Sequence, residues 1–176
     1  MCIKTRISTL IFLFISILSF AQPTPAVLVN ETVNQIDLAD DLIDQAWKLA
    51  KKALNDRNKA EAKERCESIA KLAEEAEGKA KMAEKKADES EQTYQSSNCL
   101  GAATKADDAE DYCRHLGYYT HEMLIYTRKA LNEKDDTYFK NYLNKVLSYA
   151  EDSYESVKNA KLELEEAIKE AEICTK

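Results

Sequence analysis

The sequence has few of the residues that interrupt helices, because its 176 residues include three glycines and two prolines. These are the least favourable residues inside a helix, so their scarcity permits long uninterrupted helices. No segment alternates apolar and polar residues with the period of two that a half-buried strand requires. The chain also lacks Cys-x-x-Cys, Glu-x-x-His and Cys-x-x-Cys-His, which removes the sequence basis for redox, di-iron or covalent haem chemistry. No cofactor is therefore expected, and the sequence argues against an enzyme.

Residues 1–21 have the layout of a secretory signal peptide. Lys4 and Arg6 form a short basic region, and an interrupted apolar run over residues 7–20 ends in small residues before Gln22. A membrane anchor needs about 20 mostly apolar residues, and this run is shorter. We therefore expect export, cleavage before Gln22, and a secreted or periplasmic protein with no membrane span after cleavage.

Residues 22–176 have the size of a single domain. Removal of the two basic residues of the leader takes the net charge from −7 to −9. A nucleic-acid partner would need a clustered basic face, and docking on anionic lipid would need a basic surface. The acidic balance therefore argues against a nucleic-acid partner.

Apolar and small residues recur at alternating spacings of three and four in four segments, which is the core pattern of coiled coils and helical bundles. The first two series are Val29, Thr32, Ile36, Ala39, Ile43, Ala46, Ala50, Ala53, and Ala62, Cys66, Ile69, Ala73, Ala76, Ala80, Ala83, Ala87. The other two are Ala102, Ala106, Ala109, Cys113, Leu116, Thr120, Met123, Thr127, Ala130, and Phe139, Leu143, Val146, Ala150, Ser153, Val157, Ala160, Leu164, Ala167, Ala171. The predicted fold is all-α: an elongated, coiled-coil-like, antiparallel up-down-up-down four-helix bundle.

Short breaks separate the four series. Thr24 and Pro25 have the chemistry of a helix start, an N-cap residue followed by proline. Thr104 is a candidate N-cap for the third helix. The remaining breaks are predicted at residues 55–58, 96–98 and 132–136. Connections this short favour antiparallel packing of consecutive helices.

The two predicted hairpins, residues 24–95 and 101–174, resemble each other. Displaced by 77 positions, the Lys-Ala-Leu-Asn of residues 52–55 falls on the same four residues at 129–132. The same displacement places Thr24 on Gly101, which favours a third helix that begins just after that glycine. The sequence therefore predicts a duplicated helical hairpin. The second helix has alanine at nearly every core position, and alanine has little apolar area to bury. We predict that the first hairpin is less stable than the second, which is rich in tyrosine and leucine.

Four cysteines follow the leader, and export places them in an oxidising compartment. Cys99 and Cys174 fall at the same end of the second hairpin, so a disulfide between them would close it. Cys66 and Cys113 face the core, but they are about nine residues apart along the bundle, or about 13 Å at helical rise. That distance exceeds the roughly 7 Å Cα limit for a disulfide. We predict a Cys99–Cys174 disulfide and two buried thiols.

Metal ligation has weak support in the sequence. His115 and His121 lie six residues apart on the solvent side of the third helix, whereas a helical metal pair is spaced i, i+4. Acidic residues bunch on the first and third helices: Asp37, Asp40, Asp41, Asp44, and Asp107, Asp108, Glu110, Asp111. A solvated charged face is the favoured interpretation. Weak binding of a divalent cation or a basic partner is the alternative.

Tyrosines are distributed unevenly, because eight of the nine lie between residues 112 and 154. Five of them recur at the flank of the core series: Tyr112, Tyr119, Tyr126, Tyr142 and Tyr149. One interpretation is that they pack where the first hairpin uses Leu42, Trp47, Leu49 and Leu54. The other is that part of this stripe is exposed and binds a partner, since tyrosine is enriched at interfaces.

Two functional hypotheses follow from these patterns. The first is a non-catalytic exported helical protein that acts through protein–protein contact or self-association, with the five flanking tyrosines as its candidate surface. The second is a bundle that binds a small ligand or a divalent metal, supported by the polar core residues Thr120, Thr127 and Ser153. Such hydroxyls are readily satisfied by their own helix, so the first hypothesis is favoured.

Overall fold

A computed structural model describes residues 23–174 of the protein, and these residues form four helices without a strand. The helices are α1 (Pro25–Asn55), α2 (Lys59–Ser96), α3 (Leu100–Asn132) and α4 (Asp136–Cys174). Each packs against the next in the chain, and α1 also packs against α4. The predicted all-α four-helix bundle is confirmed. The predicted leader lies outside the described residues.

Local chemistry explains most of the helix ends. Pro25 is the first residue of α1, where its missing N–H costs no hydrogen bond. Asn58 caps α2, because its Oδ1 accepts a hydrogen bond of 3.0 Å from the Ala60 N–H. At the opposite end of α2, Asn98 adopts a left-handed backbone conformation with φ of 60°. That residue turns the chain sharply, so the connection between α2 and α3 is short.

The prediction that Thr104 caps α3 is wrong. The helix begins at Leu100, with Cys99 in the cap position, so Thr104 lies inside the first turns. Its hydroxyl donates to the Leu100 carbonyl at 3.1 Å, the bond that a threonine within a helix makes to the residue four before it. The sharp turn at Asn98 explains the difference, because it leaves no loop before the helix resumes.

The core consists of the predicted heptad residues. Every member of the four series is buried except Ala171, which is half-buried in the last turn of α4. The α2 series extends beyond its prediction to Ser90 and Tyr94, which continue the same alternation of three and four. Because all four helices keep one register, the buried stripe runs along the whole length of the bundle.

Ion pairs across the seams show which flank of each helix meets its neighbour. The pairs are Glu31–Lys86 between α1 and α2, Glu84–Arg114 between α2 and α3, Lys105–Glu163 between α3 and α4, and Asp37–Lys161 between α4 and α1. The α2–α3 seam is narrow where Gly117 lies, since a Cβ there would be 3.8 Å from the Ala80 Cβ. The α3–α4 seam carries large aromatic rings instead.

Candidate functional site

Tyrosines from α3 and α4 form a continuous row of rings along the seam between these helices. The Tyr126 and Tyr149 rings are stacked, with centroids 5.6 Å apart and planes 28° apart. Tyr119 lies 6.3 Å from Tyr149, and Tyr142 lies 6.2 Å from Tyr126. We call Tyr112, Tyr119, Tyr126, Tyr142 and Tyr149 the tyrosine seam. The helices bring four of the five predicted surface residues into direct ring contact.

His115 connects the fifth tyrosine to the row. Its ring lies 6.4 Å from the Tyr112 ring and 6.5 Å from the Tyr119 ring. Tyr118, which is 55% exposed, meets Tyr119 edge-to-face at 5.4 Å. The row therefore continues onto the outer surface of α3. Sequence reasoning placed the tyrosines on one flank but missed both His115 and Tyr118 as part of this aromatic surface.

All five tyrosines of the seam are half-buried, and four of them, Tyr112, Tyr126, Tyr142 and Tyr149, pack against the core. Burial, followed by the nearby carboxylate of Glu122, raises the pKa of Tyr149, so its hydroxyl is protonated at neutral pH. The Lys129 Nζ lies 4.3 Å from the centre of the Tyr126 ring. Such a surface presents apolar faces, hydroxyl donors and a cation together, which suits contact with another protein.

The cysteines lie as predicted, with Cys99 and Cys174 at the same end of the second hairpin. Cys99 and Cys174 are at disulfide distance, with Cα atoms 5.7 Å apart. Cys66 and Cys113 are buried and unpaired in the core. Burial raises the pKa of the Cys66 thiol to about 11 and that of Cys113 to about 12. Both thiols are therefore protonated at neutral pH and poor nucleophiles.

The two histidines are exposed and do not share a site. The Nδ1 atom of His121 lies 3.1 Å from Glu77 Oε2 on α2. Burial would raise the pKa of Glu77, but hydrogen bonds from Lys81 and His121 outweigh it and lower the pKa. This contact joins α2 to α3, and nothing in the sequence of α3 alone indicates it.

The acidic face of α1 is partly neutralised by the neighbouring helix. Lys161 Nζ lies 2.6 Å from Asp37 Oδ1 and 3.9 Å from Asp40 Oδ2. Asp44 pairs with Lys48 one turn further along the same helix at 2.5 Å. These contacts are those of a solvated, ion-paired helix face, which was the favoured interpretation.

A second acidic group lies on the α2–α3 seam. Carboxylate oxygens of Asp88, Glu91 and Glu110 all lie within 4.8 Å of one another. Burial raises the pKa of Glu91, and the carboxylates around it raise it further. Arg114 pairs with Glu110, and Gln92 donates to Asp88 at 2.8 Å. The sequence indicated Glu110 but not its partners on α2, because that pairing depends on how α2 and α3 align.

The core hydroxyls are satisfied by their own helices. Thr120 donates to the Leu116 carbonyl at 2.9 Å, and Thr127 donates to that of Met123 at 2.7 Å. Ser153 makes the same bond to Tyr149 at 2.7 Å. The hydroxyl donors of these three residues are therefore already used and are not free to bind a ligand inside the bundle.

Across residues 23–174, no helix combines the length and apolar character needed to cross a membrane. Comparisons with protein-family models, curated proteins and solved structures find no match to this chain. The function must therefore be argued from the residues of the tyrosine seam and the surfaces around it.

Proposed function

We propose that this protein is an exported, non-enzymatic helical module that acts through contact with another protein or with itself, and that the tyrosine seam is its contact surface. The observation that carries the proposal is the row of half-exposed tyrosine rings in mutual contact between α3 and α4. Tyrosine is among the residues most enriched in interface hot spots.

Stacking prepares these rings for binding. An exposed tyrosine loses rotamer freedom when a partner immobilises it, whereas a ring already held by its neighbours loses less. Tyr126 is held by Tyr142 on one side and Tyr149 on the other. Preorganisation of this kind improves affinity without adding a single contact.

The first hairpin supports a role beyond packing. Under the displacement of 77 positions, Leu42 and Leu49 occupy the places of Tyr119 and Tyr126. Both leucines are partly buried against the same core, so leucine is sufficient for packing at this flank. The phenol rings of the second hairpin therefore supply something that packing does not require.

Residue chemistry favours contact over catalysis. The Cys66 and Cys113 thiols are buried and protonated at neutral pH. His121 faces a carboxylate, and His115 lies between two tyrosine rings. A nucleophile needs an adjacent base to be activated, and these contacts do not form such a pair.

The test replaces the tyrosines with the residues that the first hairpin uses. Tyr119→Leu with Tyr126→Leu keeps apolar packing and removes the phenol rings. The matched control is Tyr154→Leu, which changes a partly buried tyrosine of α4 outside the tyrosine seam. Each variant is expressed in the host envelope and crosslinked through a photoreactive residue at position 118, and its melting temperature is measured.

The proposal expects the double variant to lose the crosslinked species, with the wild-type melting temperature approximately kept. The Tyr154→Leu control should keep both. Equal crosslinking by the double variant and the wild type, or a protein that is monomeric and uncrosslinked throughout, would contradict the proposal.

The ligand-binding alternative predicts a different outcome. Its remaining support is the carboxylate group of Asp88, Glu91 and Glu110, since the core hydroxyls are satisfied. A thermal melt with and without added calcium or magnesium separates the hypotheses, because a ligand that binds the native state raises the melting temperature. A rise of several degrees that Glu91→Gln abolishes would favour metal binding over protein contact.

A further inference from the structure

The two ends of the bundle carry opposite charge. At one end lie the α1–α2 and α3–α4 connections; we call residues 49–65 and 126–142 the turn end. At the other lies the Cys99–Cys174 pair; we call residues 23–33, 88–108 and 164–174 the disulfide end. The turn end holds ten basic and six acidic residues, and the disulfide end holds two basic and ten acidic residues. Their formal charges are therefore +4 and −8.

Contacts between helices define each end. At the turn end, Lys59 Nζ at the start of α2 lies 2.6 Å from Asp136 Oδ1 at the start of α4. At the disulfide end, the first residues of α1 line a common cavity with Tyr94 of α2 and Ile168 of α4. The residues counted at each end therefore lie together on one surface, so each net charge is that of a surface formed by several helices.

Many of these charges are unneutralised. Within the described part of the chain, the side chains of Lys52, Arg57 and Lys134 at the turn end form no ion pair. The same holds at the disulfide end for Asp107, Asp108, Glu165 and Glu170. Charges without local partners contribute most to the field outside the protein.

The ends are also complementary in apolar surface. The cavity at the disulfide end has a volume of about 460 Å³, and its lining is mostly apolar. Leu100, which is 65% exposed, and Ile173, which is 66% exposed, are the chain neighbours of the two cysteines at this end. The turn end presents Tyr138, whose side chain is 59% exposed. One end thus offers an aromatic side chain and the other an apolar recess.

We propose that copies of this chain associate head to tail, the turn end of one molecule against the disulfide end of the next, with Tyr138 as the aromatic anchor. This proposal rests on the proposed function as a contact protein, but its aromatic anchor, Tyr138, lies outside the tyrosine seam. The contact is heterologous, so it generates linear chains of molecules unless it closes into a ring. Opposite charge fixes the orientation, because like ends repel.

Charge favours a second copy over an anionic lipid surface as the occupant. The residues from 23 to 174 carry 22 basic and 32 acidic side chains, a net charge of −10. The body of the molecule is thus repelled by anionic lipid. Parallel side-by-side packing of two copies is also disfavoured, because it places ends of like charge together. Head-to-tail contact brings the +4 surface against the −8 surface.

The expected contact is weak. A helix is about 10 Å across, so the end of a four-helix bundle covers about 400 Å². Two such faces bury at most about 800 Å², below the roughly 1,200 Å² of stable interfaces. Association should therefore appear at about 0.1–1 mM protein and depend strongly on salt.

The experiment measures the average mass of residues 22–176, a chain that contains every described residue, by sedimentation and small-angle X-ray scattering. The mass should rise with protein concentration at about 0.02 M salt and return to that of a monomer at about 0.5 M salt, where screening is strong. The scattering should show particles that lengthen without thickening.

Two capping variants determine the orientation of the contact. Lys134→Ser, Tyr138→Ser and Lys140→Ser together remove the turn-end surface, whereas Leu100→Ser with Ile173→Ser removes the apolar disulfide-end surface. Each variant alone should be a monomer. Their equimolar mixture should form one-to-one dimers and nothing longer, since each supplies the end that the other lacks. All the substituted side chains are exposed, and a wild-type melting temperature confirms that each variant folds.

A wild-type monomer at every salt and protein concentration would overturn the proposal, as would a capping variant that still dimerises, because that requires contact between like ends. Binding of the wild type to phosphatidylglycerol vesicles, lost in the turn-end variant, would assign this surface to anionic lipid instead. The two proposals fail separately: Tyr119→Leu with Tyr126→Leu should leave head-to-tail association unchanged.

Discussion

The two hairpins share one heptad register but fill its flanks differently. In the first, leucine lies beside the core at positions 42 and 49, and the core residues of α2 are mostly alanine. In the second, the corresponding flank holds a row of tyrosine rings in contact with one another. The heptad register of the core residues is sufficient for the bundle to form, because both hairpins share it. The flanking residues decide what each hairpin presents to solvent.

The hairpins also differ in how they are tied. The ends of the second hairpin are brought together by Cys99 and Cys174, which are 75 residues apart in sequence. The first hairpin has no such link, because its cysteine, Cys66, is a buried thiol, as is Cys113 of α3. A covalent link of this kind restricts the unfolded chain. The second hairpin therefore gains stability from packing and from the link together.

The largest expected effect comes from removing that link. Cys99→Ser with Cys174→Ser should lower the free energy of unfolding by about 4 kcal/mol, the value expected for a loop of this length. Urea denaturation of the oxidised protein measures it. Reduction of the wild type should reproduce the loss, and reduction of the double variant should change nothing further. An unchanged urea midpoint would show that the link does not contribute to stability.

Replacing Gly117 with leucine should give the next largest effect. A Cβ added at this position would be in ordinary contact with the Ala80 Cβ at 3.8 Å, so we expect the longer side chain of leucine to push α2 and α3 apart. Overpacking of this kind costs about 1–3 kcal/mol. The matched control is Gly78→Leu on α2, where a Cβ meets nothing within 4 Å. Thermal melts compare them, and equal melting temperatures would show that the α2–α3 seam can widen freely.

Hydrogen exchange compares the hairpins directly. Amides of residues 60–90 should exchange at least about tenfold faster than those of residues 102–171, which corresponds to about 1.4 kcal/mol in local stability. The reason is that α2 buries mainly methyl groups, whereas α3 and α4 bury larger side chains. Faster exchange in residues 102–171 would reverse the order of stability proposed for the two hairpins.

The smallest effect concerns pH at the α2–α3 seam. Burial and the carboxylates of Asp107, Glu110 and Asp88 raise the pKa of Glu91 in the folded protein. The contribution of this group to stability is therefore fully present below its unfolded pKa of about 4.3 and is lost as the pH rises through the higher folded pKa. Glu91→Gln should stabilise the protein at pH 7 by a few tenths of a kcal/mol, since the group is partly exposed.

The gain from Glu91→Gln should disappear near pH 4, where the wild-type carboxyl is protonated. Melting temperatures of both proteins across this pH range measure the difference. Glu67→Gln, at an exposed position of the same helix, serves as the control and should show no such pH dependence. A gain that persists at low pH would assign the effect to something other than charge.

Heptad spacing by itself determined the helices and the core of this protein, and the short connections determined the antiparallel order. Those properties depend on residues three and four apart on one helix, and such distances are set by helical geometry. The level of each cysteine followed in the same way, which is why Cys99 and Cys174 could be paired in advance. Even Tyr94 continues the α2 series, so its burial was readable from the sequence.

Only the tertiary structure decided which side chains meet across the seams. The contact of His121 with Glu77, the grouping of Asp88 with Glu110, and the order of the tyrosine rings all join different helices. Such contacts depend on the axial shift between neighbouring helices. Consecutive residues of a helix lie about 1.5 Å apart along its axis and about 100° apart around it, so a shift of one residue changes which side chains meet. A repeat within one helix carries no information about that shift, and packing alone fixes it.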